Sequence, residues 1–97
     1  MTMSVESTPL GLKLKGHIDF DNVNEACERG LHLIQSMPEI AVDLRELERS
    51  DSSILALLTA WVRQAKAQNH TIVFNNMPKF MHDILKVYGL QEILPFE

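Results

Sequence analysis

The chain has few of the residues on which most protein chemistry depends. It holds one cysteine, Cys27, so no internal disulfide can form. That suits a reducing compartment, and a cytoplasmic location is expected. The four glycines stand apart at positions 11, 16, 30 and 89, which leaves no glycine-rich loop to cradle a phosphate. A nucleophile elbow and a paired-acid constellation are also missing. His17, His32, His70 and His82 share no ligand-like spacing with one another or with Cys27, so neither a metal nor a cofactor is expected. Nine basic residues face thirteen acidic ones, for a net charge of -4. No basic stripe is present to neutralise phosphates, which argues against nucleic acid as a partner. The apolar runs fall far short of the roughly 18–20 residues that span a bilayer, so no membrane insertion is expected. The first residues lack a basic stretch followed by an apolar one, so no signal peptide is expected.

The rest of the composition is that of an ordinary folded protein, 45% hydrophobic and 23% charged. A chain of 97 residues suits a single domain, 1–97. Charge is uneven along it: residues 1–51 carry ten acidic and five basic side chains, and residues 52–97 carry three and four. Leu12-Lys13-Leu14-Lys15 alternates with the period of a half-buried strand, paired with the residues before the turn Thr8-Pro9-Leu10-Gly11. Asp21 or Asn22 can cap a helix over about 22–36, whose apolar face is Val23, Ala26, Cys27, Leu31 and Ile34. The carboxylates of Asp19 and Asp21 stand where a helix start favours negative charge, which is a structural reason for them. Ile40-Ala41-Val42-Asp43-Leu44 suits a central strand with both faces covered. Residues 45–50 read as a loop, 52–68 as the longest helix and 71–74 as a buried strand. A last helix, about 79–88, carries Phe80, Ile84, Leu85 and Tyr88 on its apolar face and stops at Gly89. Leu90, Ile93, Leu94 and Phe96 form an apolar tail. Alternating strands and helices predict an α/β fold, with a mixed central sheet flanked by helices.

Asp51, Ser52 and Ser53 sit where a strand connection enters the long helix, the edge of an α/β sheet at which binding sites gather. Asp and Ser there are also ordinary capping residues, whose oxygens accept from the free N–H groups of a first helical turn. An exposed hydroxyl on the positive end of a helix can receive a phosphoryl group, or it can dock directly against a partner. Along the helix, Ile54, Leu58, Trp61, Val62 and Ala65 fall on one stripe, with Leu55 at its edge. Ala56, Thr59, Ala60, Arg63 and Ala67 fall opposite and are bordered by Leu57. Small side chains there offer a shallow surface for another protein, although alanine is also simply a strong helix former.

Val42-Asp43-Leu44, followed seven residues later by Asp51-Ser52-Ser53 and then Leu55-Ala56-Leu57-Leu58, resembles the STAS domain. That domain is shared by bacterial anti-sigma-factor antagonists, sulfate-transporter tails and the small MlaB-like subunit of the Mla phospholipid-transport ABC complex. The resemblance runs from about residue 5 to residue 94, and the ending Val87-Tyr88-Gly89-Leu90-Gln91-Glu92-Ile93-Leu94 looks MlaB-like. It implies a non-enzymatic accessory subunit that binds the ATPase subunit of an ABC transporter. Such a subunit would be cytoplasmic and peripheral to the inner membrane. By this resemblance Ser52 is the central contact, and Asp51, Ser53, Ala56, Thr59, Ala60 and Arg63 surround it. The antagonist branch implies instead an anti-sigma factor kinase as partner and phosphorylation of Ser53. That branch's motif normally continues with glycine, where this chain has Ile54, which narrows a kinase's access. A lipid- or ligand-binding module is a third reading, but a chain this small leaves little room for a pocket of several hundred Å³. Formation of a homodimer is left open.

Overall fold

A computed structural model describes residues 3–90 and 94–97. Its elements in order are β1 (Met3–Thr8), β2 (Gly11–Ile18), α1 (Val23–Ile34), β3 (Glu39–Asp43), β4 (Leu47–Ser50), α2 (Ser53–Ala67), β5 (Thr71–Asn75) and α3 (Lys79–Tyr88). The sheet is mixed and runs β1-β2-β3-β5, with β4 also on β2. β1 and β2 form an antiparallel hairpin, and every other pairing is parallel. The segment expected to be a loop at 45–50 instead contains β4. Leu47 is buried and its N–H donates to the Leu44 carbonyl, a tight turn that returns the chain to the sheet. β3 pairs with the first half of β2, and β4 takes over beside the second half.

The buried hydrophobic strand residues are Leu12, Leu14 and Ile18 of β2, Ile40 and Val42 of β3, Leu47 of β4, and Ile72 and Phe74 of β5. They share one face and form a single core with α1, α2 and α3. Ala41, Asp43, Lys13 and Lys15 alternate with them and are only half-buried. The helices therefore cover one face of the sheet, and β3 is not enclosed on both sides as its apolar run suggested. On the open face Lys13 lies 3.8 Å from Glu6 and 3.0 Å from Glu46, and Lys15 lies 3.6 and 3.7 Å from the same two carboxylates.

Two details set the positions of the helices. Gly30 in α1 is buried, and a Cβ there would overlap the Trp61 indole of α2. The same indole donates from Nε1 to the Cys27 carbonyl at 3.0 Å, so α1 and α2 are joined by shape and by a hydrogen bond. The start of α1 is organised by Asp19 rather than by a side-chain cap from Asp21 or Asn22. Its carboxylate accepts from the N–H groups of Asp21 and Asn22, and its carbonyl accepts from Val23. α3 ends at Gly89 with φ +69, the left-handed conformation that glycine adopts without steric cost. Met81 and Leu85 are its buried residues, and Tyr88 points outward, 57% exposed, rather than joining the apolar face. Beyond α3, the described tail packs on the edge of β5: Phe74 donates to Pro95 O, and the Phe74 and Phe96 rings lie 5.4 Å apart. Ile93, expected in this tail, lies outside the described residues, as do Gln91 and Glu92. Among the described residues no helix is long and apolar enough to cross a membrane.

Candidate functional site

β4 delivers the chain to the start of α2, and β2 holds it there. The Asp51 N–H donates to the Ile18 carbonyl at the end of β2. The Asp51 carboxylate turns forward and accepts the N–H of Ser53 at 2.9 Å, satisfying one of the free donors of the first turn. The Asp51 carbonyl accepts from Ile54, and the Ser52 carbonyl accepts from Leu55. Asp51 is thus the residue that fixes the helix start. Ser52 already has helical dihedrals, φ -66 and ψ -9, and its side chain makes no capping bond.

The two serines part company at this turn. Ser52 is half-buried and its residue lines a surface groove. Ser53, expected to be open to solvent, is 5% exposed, and its Oγ has no hydrogen-bond partner among the described residues. The cause is helical phase. At about 100° per residue, Ser53 falls beside Leu57, on the flank of a buried arc that also holds Ile54, Leu55, Leu58, Trp61, Val62 and Ala65. That arc is wider than the stripe expected from the sequence, and Leu57 belongs to it rather than to the outer surface.

The groove is open, about 540 Å³ in volume, and is lined by Ser52, Leu55, Ala56, Thr59, Ala60, Arg63, Tyr88 and Leu90. It brings together five of the seven residues singled out in the sequence: Ser52, Ala56, Thr59, Ala60 and Arg63. Asp51 and Ser53, on either side of Ser52 in the chain, do not line it. Sequence reasoning missed the other wall, Tyr88 and Leu90, because a tyrosine four residues after Ile84 reads as core. Across Asp51 a second hollow of about 480 Å³ is lined by His17, Ile18, Asp19, Arg49, Ser50 and Asp51.

The titratable groups that depart from their ordinary values lie away from this groove. The backbone N–H of Arg45 and the amide of Asn76 hold the Asp43 carboxyl below its ordinary value, against an opposing desolvation. Burial pushes the Cys27 thiol up, with Glu28 adding to the effect, which is the opposite of a reactive thiolate. Among the described residues no three His, Cys, Asp or Glu side chains converge as metal ligands would. The site offers a half-open hydroxyl, small side chains, apolar walls and one guanidinium. Such a surface can bind a protein segment.

Residues 1–95 match the family model described as Mlab, STAS domain. The chain belongs to the STAS family, in its MlaB-type branch. STAS domains are protein-interaction modules, typically regulatory and non-enzymatic. Among solved structures the fold is similar to an anti-sigma factor antagonist from Mycobacterium paratuberculosis, at 19% identity and TM-score 0.76, covering 98% of this chain and 83% of that one. It is also similar to SpoIIAA, the Bacillus cell fate determinant, in both forms. The unphosphorylated form gives 17% identity and TM-score 0.75, with 99% and 88% of the two chains covered. The phosphorylated form gives 18% identity and TM-score 0.70, with 99% and 91% covered. At these identities the likeness is one of fold. No curated protein sequence matches the chain.

Proposed function

We propose that this STAS domain is a non-enzymatic accessory subunit of a Mla-type phospholipid-transport ABC complex. It binds the cytoplasmic ATPase through the start and outer side of α2. The observation that carries this reading is the groove in which the Ser52 hydroxyl, the small residues Ala56, Thr59 and Ala60, and the Arg63 guanidinium meet the apolar Tyr88 and Leu90. Small side chains on α2 let a partner's backbone approach closely, and the apolar walls supply area to bury. The domain acts by contact: it steadies the productive arrangement of the ATPase and touches neither nucleotide nor lipid. Bound in this way it is cytoplasmic and peripheral to the inner membrane.

Replacing Ser52 with Glu tests the docking point. An unpaired charge placed in a close contact costs about 2–5 kcal/mol, which weakens the complex at least tenfold. Ser52→Glu that is folded and still pulls down the ATPase at parent strength would refute the assignment.

A second reading, an anti-sigma-factor antagonist switched by phosphorylation of Ser53, draws on the fold shared with both forms of SpoIIAA. Burial of Ser53 weighs against it, since a kinase would have to open the first turn of α2 to reach the hydroxyl. A phosphate mass shift on Ser53 after incubation with anti-sigma kinases would put this reading ahead.

A further inference from the structure

Four large hydrophobic side chains stand in solvent among the described residues: Leu10 at 75%, Phe20 at 71%, Val87 at 80% and Tyr88 at 57% exposure. Their placement is uneven. Tyr88 lines the groove with Ser52, and Val87 precedes it at the end of α3. Phe20 follows Asp19, which lines the second hollow together with Asp51. Tyr88 thus lines the hollow that holds Ser52, and Phe20 adjoins a residue of the hollow that holds Asp51, while Leu10 sits at the hairpin tip where β2 begins, at the other end of that strand.

The turn that carries Phe20 is braced along its backbone. The Asp19 carboxylate accepts from Asp21 and Asn22 at 2.9 and 3.1 Å, and the Asp19 N–H donates to the Asn22 side-chain oxygen at 3.0 Å. The Asn22 amide donates to the His17 carbonyl at 2.8 Å, tying the turn to β2. A large apolar ring in water gains nothing for folding, and a turn this well braced could present any residue at its crest. Aromatic side chains are the usual anchors of protein contacts, and a braced backbone leaves less entropy to be lost on binding.

We infer that Phe20 is an aromatic anchor of the docking surface, received by an apolar pocket with a basic rim on the partner. The inference rests on the reading proposed above and extends its surface across Asp51 to the β2–α1 turn. The rim follows from charge: Asp19 and Asp21 bracket Phe20, and Asp51 lies across the hollow. Of the basic groups on that hollow, His17 faces Glu48 at 3.5 Å, which leaves Arg49 against Asp19 and Asp51, with Asp21 two residues along the turn from Asp19. Complementary cations on a protein partner fit this surface, and anionic lipid headgroups do not.

Affinity for the ATPase subunit of the transporter, measured for Phe20→Ala, Leu10→Ala, Asp21→Lys and Ser52→Glu, tests the inference. Phe20→Ala is expected to bind about tenfold or more weakly with its melting temperature unchanged, and Leu10→Ala to bind as the parent does. Asp21→Lys is expected to weaken binding and to flatten its salt dependence. Phe20→Ala at parent affinity while Ser52→Glu breaks the complex overturns the anchor and leaves the groove as docking site. Parent affinity in both overturns the docking reading itself. An equal loss in Leu10→Ala, or an Asp21→Lys that binds more tightly, overturns the inference, as does Phe20-dependent binding to phosphatidylglycerol vesicles.

Discussion

Replacing Ser53 in two opposite ways tests the geometry at the start of α2 most directly. The hydroxyl is buried and has no partner among the described residues. A buried polar group left unpaired costs about 1–3 kcal/mol, and alanine is also the stronger helix former. Ser53→Ala should therefore stabilise the protein by about 1–2 kcal/mol. For a domain of this size that corresponds to a rise in melting temperature of about 4–8 °C per kcal/mol. Ser53→Asp, which imitates the charge of a phosphoryl group, should do the reverse. An uncompensated buried carboxylate costs about 3–5 kcal/mol, and the helix terminus returns at most about 2 kcal/mol. The Asp51 carboxylate two residues away adds repulsion. Thermal and urea unfolding of the two variants beside the parent read the difference. An alanine variant less stable than the parent, or an aspartate variant equally stable, would mean that Oγ is paired or open to water. Burial of Ser53 would then no longer weigh against a kinase switch.

Gly30→Ala should lower stability although alanine is the better helix former. The new methyl overlaps the Trp61 indole, and overpacking at about 1–3 kcal/mol plus a strained Nε1–Cys27 bond exceeds the propensity gain of about 1 kcal/mol. A raised melting temperature would contradict this account of how α1 meets α2. On the open face, the Ser4 hydroxyl leads in holding Glu6 below its ordinary value of 4.5, with Lys15 and Lys13 adding to it, and the Lys13 hydrogen bond leads for Glu46. Depressed carboxyl values mean that their stabilisation is present above pH 4.5 and fades as the pH falls below it. Glu46→Gln should accordingly flatten the acid side of the stability profile, and added salt should flatten the parent's. An unchanged profile in low salt would show that these exposed pairs contribute nothing measurable.

Much of the architecture was legible because the pattern of the chain and its packing agree. Alternation at Leu12–Lys15, the apolar spacing of α1 and the glycine after Tyr88 each have a local cause that survives folding. β4 was not legible. Leu-Glu-Arg-Ser has one apolar residue and no strand period, and it pairs because the second half of β2 would otherwise lack a neighbour on that side. The Asp51-Ser52-Ser53 site was found from its capping chemistry, but not which serine faces outward. That depends on helical phase: Ser53 stands four residues before Leu57, which its spacing places at the border of the outer surface and which in fact belongs to the buried arc. Tyr88 was misplaced because spacing along a short helix does not register how far the surface it packs on extends: Tyr88 lines a groove beside α2 and stays 57% exposed.

The charged lattice formed by Glu6, Lys13, Lys15 and Glu46 gives the molecule a front and a back. Each of these ions is already neutralised by its neighbours, so another protein laid over that wall would strip away water and offer no better partner in return. Sheet-on-sheet stacking is discouraged there. A fluorophore or affinity handle carried on the wet wall should therefore leave the proposed docking surface at the start of α2 undisturbed.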